Sequence, residues 1–170
     1  MKKVVSLVLA LTLALFSLSA LAEDAIKMGQ VDYAAHGDKC FAVLTVAVQG
    51  ETIVGAYIDE FQWMTEGDVV AVPNSDGGFG ESYPEGKVLA SKRVNSEYYS
   101  ANMTKAGSTV TLDANYKAIE DYVVGKTIAE LEAELEGKTA EEMVDAVSGA
   151  TLVDTLGYVQ GLLEAAKAAK

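Results

Sequence analysis

The residues with the clearest chemical potential form one short run, Asp145-Ala146-Val147-Ser148-Gly149-Ala150-Thr151. Ser148 and Thr151 carry hydroxyls, Asp145 adds a carboxylate, and Gly149 lets the backbone turn sharply and lets another group come close. Apolar residues follow at Leu152, Val153, Leu156, Val159, Leu162 and Leu163, the i, i+3, i+4 spacing of an amphipathic helix. The spacing predicts a C-terminal helix starting near Leu152, with Gly157 and Gly161 weakening it. The first amides of a helix have no internal partners, and with the helix dipole they form a site for a phosphate. A hydroxyl at Thr151 would lie at that spot, so a bound phosphate or a phosphoester is chemically reasonable. The plainer alternative is that Thr151 only caps the helix.

Other chemistries find little support. His36 is the sole histidine and Cys40 the sole cysteine, which excludes an internal disulfide and disfavours structural zinc. Cys40 opens the apolar run Cys40-Phe41-Ala42-Val43-Leu44 and reads as a buried structural thiol. No flanking motif supports a Ser-His-Asp site. Asn74-Ser75-Asp76-Gly77-Gly78-Phe79-Gly80 is glycine-rich, but it lacks the spacing and trailing lysine of a phosphate loop. The pairs Glu130/Glu132 and Glu141/Glu142 read as helix surface and cap residues.

Positioning the run requires a fold, and the chain supplies one domain's worth of elements. Met1-Lys2-Lys3, an apolar stretch from Val4 to Leu21, and Ala20-Leu21-Ala22 before Glu23-Asp24 have the three-part form of a secretory signal peptide. No cysteine follows it to accept a lipid. We therefore expect a leader over residues 1–22, a single domain over 23–170, and a location outside the cytoplasmic membrane. That domain would hold 11 basic against 25 acidic residues, a net charge of −14, which argues against nucleic acid and anionic membrane surfaces.

Glu23 to about Lys39 is weakly patterned. Lys39–Val48 and Thr52–Trp63 read as strands of a hairpin around Gln49-Gly50-Glu51. Met64 to Gly86 holds both prolines and reads as a long loop, with a short strand at Val69–Val72. Helices follow: Ala114–Val124 ending at Gly125, then two capping boxes, Thr127/Glu130 and Thr139/Glu142. Strands first and helices later predict an α+β domain.

Asp145-x-x-Ser148-Gly149-Ala150-Thr151 resembles the flavinylation motif of the FMN-binding domain family, which includes subunits of Rnf-type and sodium-pumping redox complexes and exported electron-transfer proteins. Weaker likeness extends over Ser91-Lys92-Arg93, Tyr98-Tyr99, Met103 and Tyr122-Val123-Val124-Gly125-Lys126-Thr127, so that it covers Leu89 to Ala166. The resemblance implies a curved antiparallel sheet flanked by helices. It also implies FMN joined to Thr151 by a phosphoester, with Ser148, Gly149 and Ala150 as the flanking turn and Asp145 as the acidic recognition residue. A flavin transferase using FAD would attach it, and a membrane redox partner or a soluble electron acceptor would exchange electrons with it. Lys92 and Arg93, the only adjacent basic pair after the leader, are candidates to neutralise the FMN phosphate, or else a solvated face. Tyr83, Tyr98, Tyr99 and Tyr158 are candidates to stack on the isoalloxazine ring, or else core or surface aromatics with wet hydroxyls. The rival readings are an exported binding or surface-interaction module of the same fold without flavin, and a flavin-dependent reductase domain.

Overall fold

A computed structural model describes residues 24–75 and 84–170. The expected leader, Tyr83 and the glycines of residues 77–80 lie outside the described residues.

Four strands form one open antiparallel sheet: β1 (Ile26–Tyr33), β2 (Cys40–Gln49), β3 (Thr52–Thr65) and β4 (Lys87–Ser91), in the order β1-β2-β3-β4. β2 carries the clearest period of two. Cys40, Ala42, Leu44, Val46 and Val48 are all buried, and the residues between them face the other side. The predicted hairpin is present, closed by Gly50 and Glu51, with a register irregularity at Ala47/Val48.

Five helices follow: α1 (Ser96–Lys105), α2 (Leu112–Val123), α3 (Ile128–Leu135), α4 (Ala140–Ala146) and α5 (Thr155–Lys167). α5 lies against β1 and β2, α2 against β3, and α3 and α4 pack on α5. Leu44, Val46, Ile58, Tyr116, Ile119, Tyr158 and Leu162 fill the space between the layers. The architecture is a single α+β domain, as the order of sequence patterns predicts.

Local chemistry explains the boundaries. Both capping boxes form: Thr127 Oγ1 accepts from the Glu130 amide and Thr139 Oγ1 from the Glu142 amide, while each glutamate returns the bond. Thr111 caps α2 by accepting from the Ala114 amide, so the helix begins at Leu112, two residues before the predicted start. β4 pairs only with the last third of β3, leaving the rest of that edge to be closed by other groups. The Ile53 amide donates to the Lys126 carbonyl, and the Gly125 amide donates to the Ile53 carbonyl. Farther along, the Ile58 amide donates to Glu120, and Arg93 Nε donates to the Ile58 carbonyl at 2.6 Å. Arg93 and Glu120 also pair with each other.

Several expectations need correction. The opening segment contains β1, a full strand. No strand forms at Val69–Val72; instead the Val72 amide donates to the Leu89 carbonyl, and Val70 exchanges two bonds with the Asn95 side chain. The C-terminal helix starts at Thr155, not Leu152. Residues 152–154 are occupied by a turn, and Val153 is 73% exposed.

Gly161 has a use that helix propensity hides. A Cβ there would lie 2.2 Å from Leu44 Cδ1 and 2.9 Å from Tyr33 Cγ, so this glycine sets how closely α5 approaches the sheet. Gly161→Ala gains about 1 kcal/mol in helix propensity. Overpacking against the fully buried Leu44 costs about 1–3 kcal/mol. The expected net result is a lower unfolding midpoint in a denaturant titration, and a higher one would show that the contact relaxes freely.

Candidate functional site

The run from Asp145 to Thr151 leaves the end of α4 and reverses direction. Val147 is the C-cap, and its amide donates to the Met143 carbonyl. The Ala150 amide then donates to the Val147 carbonyl at 3.1 Å, closing a four-residue turn over Ser148 and Gly149. Gly149 occupies the third position with φ 92°, where a side chain would be strained. Val147 and Ala150 are buried and anchor the turn, while Asp145, Ser148, Gly149 and Thr151 face solvent. Apolar and polar residues thus alternate in role: the first hold the turn, the second present it.

Thr151 does not cap a helix. Asp154 is the N-cap of α5, three residues later, and it makes no side-chain capping bond. Its carboxylate pairs instead with His36 Nδ1, tying the β1–β2 connection to the start of α5. A phosphate at Thr151 would therefore sit outside the first turn of α5. The expected dipole site is not formed there.

The group that does hold Thr151 comes from α2. Asn115 Oδ1 accepts from the Thr151 amide at 2.6 Å and from the Thr151 hydroxyl at 3.3 Å. Asn115 Nδ2 donates to the carbonyls of Val110 and Thr111 at 3.3 and 2.9 Å. The side chain is 0% exposed and all four of its bonding capacities are used. Sequence reasoning missed it, because an asparagine inside a helix carries no signal of a bond to a residue 36 positions away.

Two clefts flank the turn. One, of about 560 Å³, is lined by Ala114, Lys117, Ala118 and Tyr122 of α2 and by Ser148 and Gly149. The other, of about 300 Å³, is lined by Ala140, Val144 and Asp145 of α4 with Thr151 and Val153. A somewhat larger cleft between α3 and α5 is rimmed by Glu132, Glu136 and Glu164, a poor surface for a phosphate ligand. Among the described residues, no group of three or more His, Cys, Asp and Glu side chains could hold a metal ion.

Lys92 is placed differently from either expectation. It is 1% exposed, so it is not part of a solvated face, and its ammonium lies 2.5 Å from a carboxylate oxygen of the fully buried Glu60. That carboxylate also accepts from Tyr158 at 2.8 Å, Tyr116 at 3.2 Å and the Cys40 thiol at 3.3 Å. Lys92 also lies over the Tyr99 ring. Burial works to depress the Lys92 pKa, but the charge of Glu60 and its hydrogen bond outweigh burial and hold it above the ordinary lysine value. An ammonium committed in this way is not available to a phosphate at the exposed Thr151.

Tyr158 is buried with its hydroxyl on Glu60, so neither ring stacking with a ligand nor a wet hydroxyl describes it. Tyr99 is half-buried beside Lys92, and Tyr98 reaches toward Asp68. Cys40 is buried, as expected; burial and the charge of Glu60 push its thiol up to about 11, against a smaller lowering by Lys92. Such a thiol is unreactive at neutral pH.

No family model, curated protein or solved structure matches this chain. The site thus stands on its own residues and geometry. Among the described residues no helix is long and apolar enough to cross a membrane.

Proposed function

We propose that this chain is an exported electron-transfer protein that carries FMN as a phosphoester on Thr151. The observation that carries this reading is an exposed threonine, presented on an anchored turn, at the last position of Asp145-x-x-Ser148-Gly149-Ala150-Thr151. Thr151 is exposed, and clefts of about 560 and 300 Å³ lie on either side of the turn for the rest of the ligand. Bound FMN supplies one- or two-electron redox chemistry, and the protein's part is to hold and shield it. Ser148, Gly149 and Ala150 shape the turn, and Asp145 is the residue a flavin transferase would read. Lys92 has no part in holding the phosphate in this reading.

The net charge of −14 for residues 23–170 favours a basic redox partner, whether membrane-bound or soluble. The direct test is to produce the protein with its flavin transferase and FAD, then measure its intact mass and look for a fluorescent band on a denaturing gel. An FMN adduct is expected. A chain that stays unmodified beside an active transferase is instead a flavin-free binding module.

A further inference from the structure

We infer that Asn115 is a positioning residue for the transfer of FMN onto Thr151, an inference that rests on the attachment reading above. The transfer balances as follows. Thr151 Oγ1 bonds to the phosphorus of the FMN half of FAD, the P–O anhydride bond breaks, AMP leaves with the anhydride oxygen, and the hydroxyl proton, released from Asn115 Oδ1 as the new P–O bond forms, passes to a base of the transferase or to water on the exposed side of Thr151. Nothing is oxidised or reduced. For this to proceed, a lone pair of Oγ1 must face the incoming phosphorus and the hydroxyl proton must face away from it.

Asn115 imposes that arrangement. Its Oδ1 accepts from both the Thr151 amide and the Thr151 hydroxyl. The amide bond fixes where the residue sits, and the hydroxyl bond fixes where its proton points. The orientation of the Asn115 amide is itself determined. Its Nδ2 faces two carbonyls that can only accept, and its Oδ1 faces a backbone amide that can only donate. Reversing it would break three bonds inside the protein. Oγ1 of the exposed Thr151 is therefore tethered by a rigid, buried acceptor. Asn115 Oδ1 has no useful basicity, so it orients the proton without removing it.

The test measures FMN transfer from FAD to the purified chain by the flavin transferase, separating kcat from KM for the acceptor protein. Asn115→Leu and Asn115→Ala remove the acceptor. Thr111→Ala removes the cap at the start of α2 and leaves the Asn115–Thr151 bonds in place. The expected result is a Thr111→Ala variant within a few-fold of wild type, and a Leu or Ala variant at position 115 whose kcat falls on the order of 10²-fold with KM little changed. Circular dichroism selects whichever of the two position-115 variants keeps the wild-type spectrum. A purely structural role, in which Asn115 only anchors the start of α2, would impair Thr111→Ala as much as Asn115→Leu or Asn115→Ala. Equal kcat values in all variants, equal losses in Thr111→Ala and the position-115 variant, or failure of both Asn115→Leu and Asn115→Ala to fold would overturn the role of Asn115. Wild-type chain that accepts FMN on no residue, or on a residue other than Thr151, would overturn the attachment reading as well, so the two failures are distinct.

Discussion

Lys92→Met is expected to cost about 3–5 kcal/mol, the largest stability loss of any single change considered, because it strands a charge inside the fold. Glu60 is 0% exposed and sits among Tyr116, Tyr158, Cys40 and Lys92. The three neutral donors satisfy lone pairs but do not cancel the charge. Without the ammonium, the carboxylate's charge is left uncompensated in a poorly solvating interior. A domain of this size has about 5–15 kcal/mol to lose, so the variant keeps little margin. A second variant separates charge from packing. Glu60→Gln combined with Lys92→Met removes both charges and leaves an amide oxygen for the tyrosines, so it is expected to be more stable than Lys92→Met alone. Urea titrations of the two variants read the difference. A Lys92→Met variant as stable as wild type would mean that the pair is energetically idle.

The second large effect concerns the proposed attachment. Thr151→Val keeps the β-branched shape and removes Oγ1, so it is expected to abolish the covalent flavin completely. The fold should survive. The bond from the Thr151 amide to Asn115 remains, and only the 3.3 Å hydroxyl bond is lost, a change of about 0.5–1.5 kcal/mol at most. Two other hydroxyls stand nearby and differ in availability. Ser148 is exposed at the corner of the turn, whereas Thr155 is buried and its Oγ1 donates to the Leu152 carbonyl at 2.6 Å. Ser148→Ala should therefore change modification modestly, and Asp145→Ala should reduce it through recognition without removing the acceptor. Mass spectrometry of the peptide spanning Asp145 to Thr155 decides the matter. An adduct that persists in Thr151→Val, or that maps to Ser148 in the wild-type protein, would refute the assignment.

Much of the fold was legible wherever one face of an element is apolar. β2 alternates cleanly, α2 and α5 bury regular stripes, and Thr127 and Thr139 announce their helices through the glutamates three residues on. What escaped the reading lacks that contrast. β1 exposes Ile26 and Met28 and buries Gly29, so its alternation runs against hydropathy. α1 buries Ser96 and Ser100 instead of an apolar stripe, and Ser100 Oγ earns its burial by accepting from the Leu112 amide. At the candidate site, the turn and its glycine were readable because they are local. The start of α5 was misplaced because Leu152 and Val153 continue the apolar spacing into a turn. Asn115 and Glu60 escaped because both act through bonds to residues far away in sequence, which no local period records.

The Glu60 carboxylate also couples parts of the chain that lie far apart in sequence. Its partners come from the start of β2, from α2 and α5, and from the residue just after β4. A partly opened state that released Lys92 while keeping the sheet and α5 docked would leave the carboxylate buried and unpaired. Sub-global unfolding of that kind is thereby penalised, and the segment carrying Lys92 gains protection from the pair. Amide exchange in the short β4 strand should accordingly approach the protection of β2 and β3, which makes the buried ion pair a source of cooperativity more than of net stability.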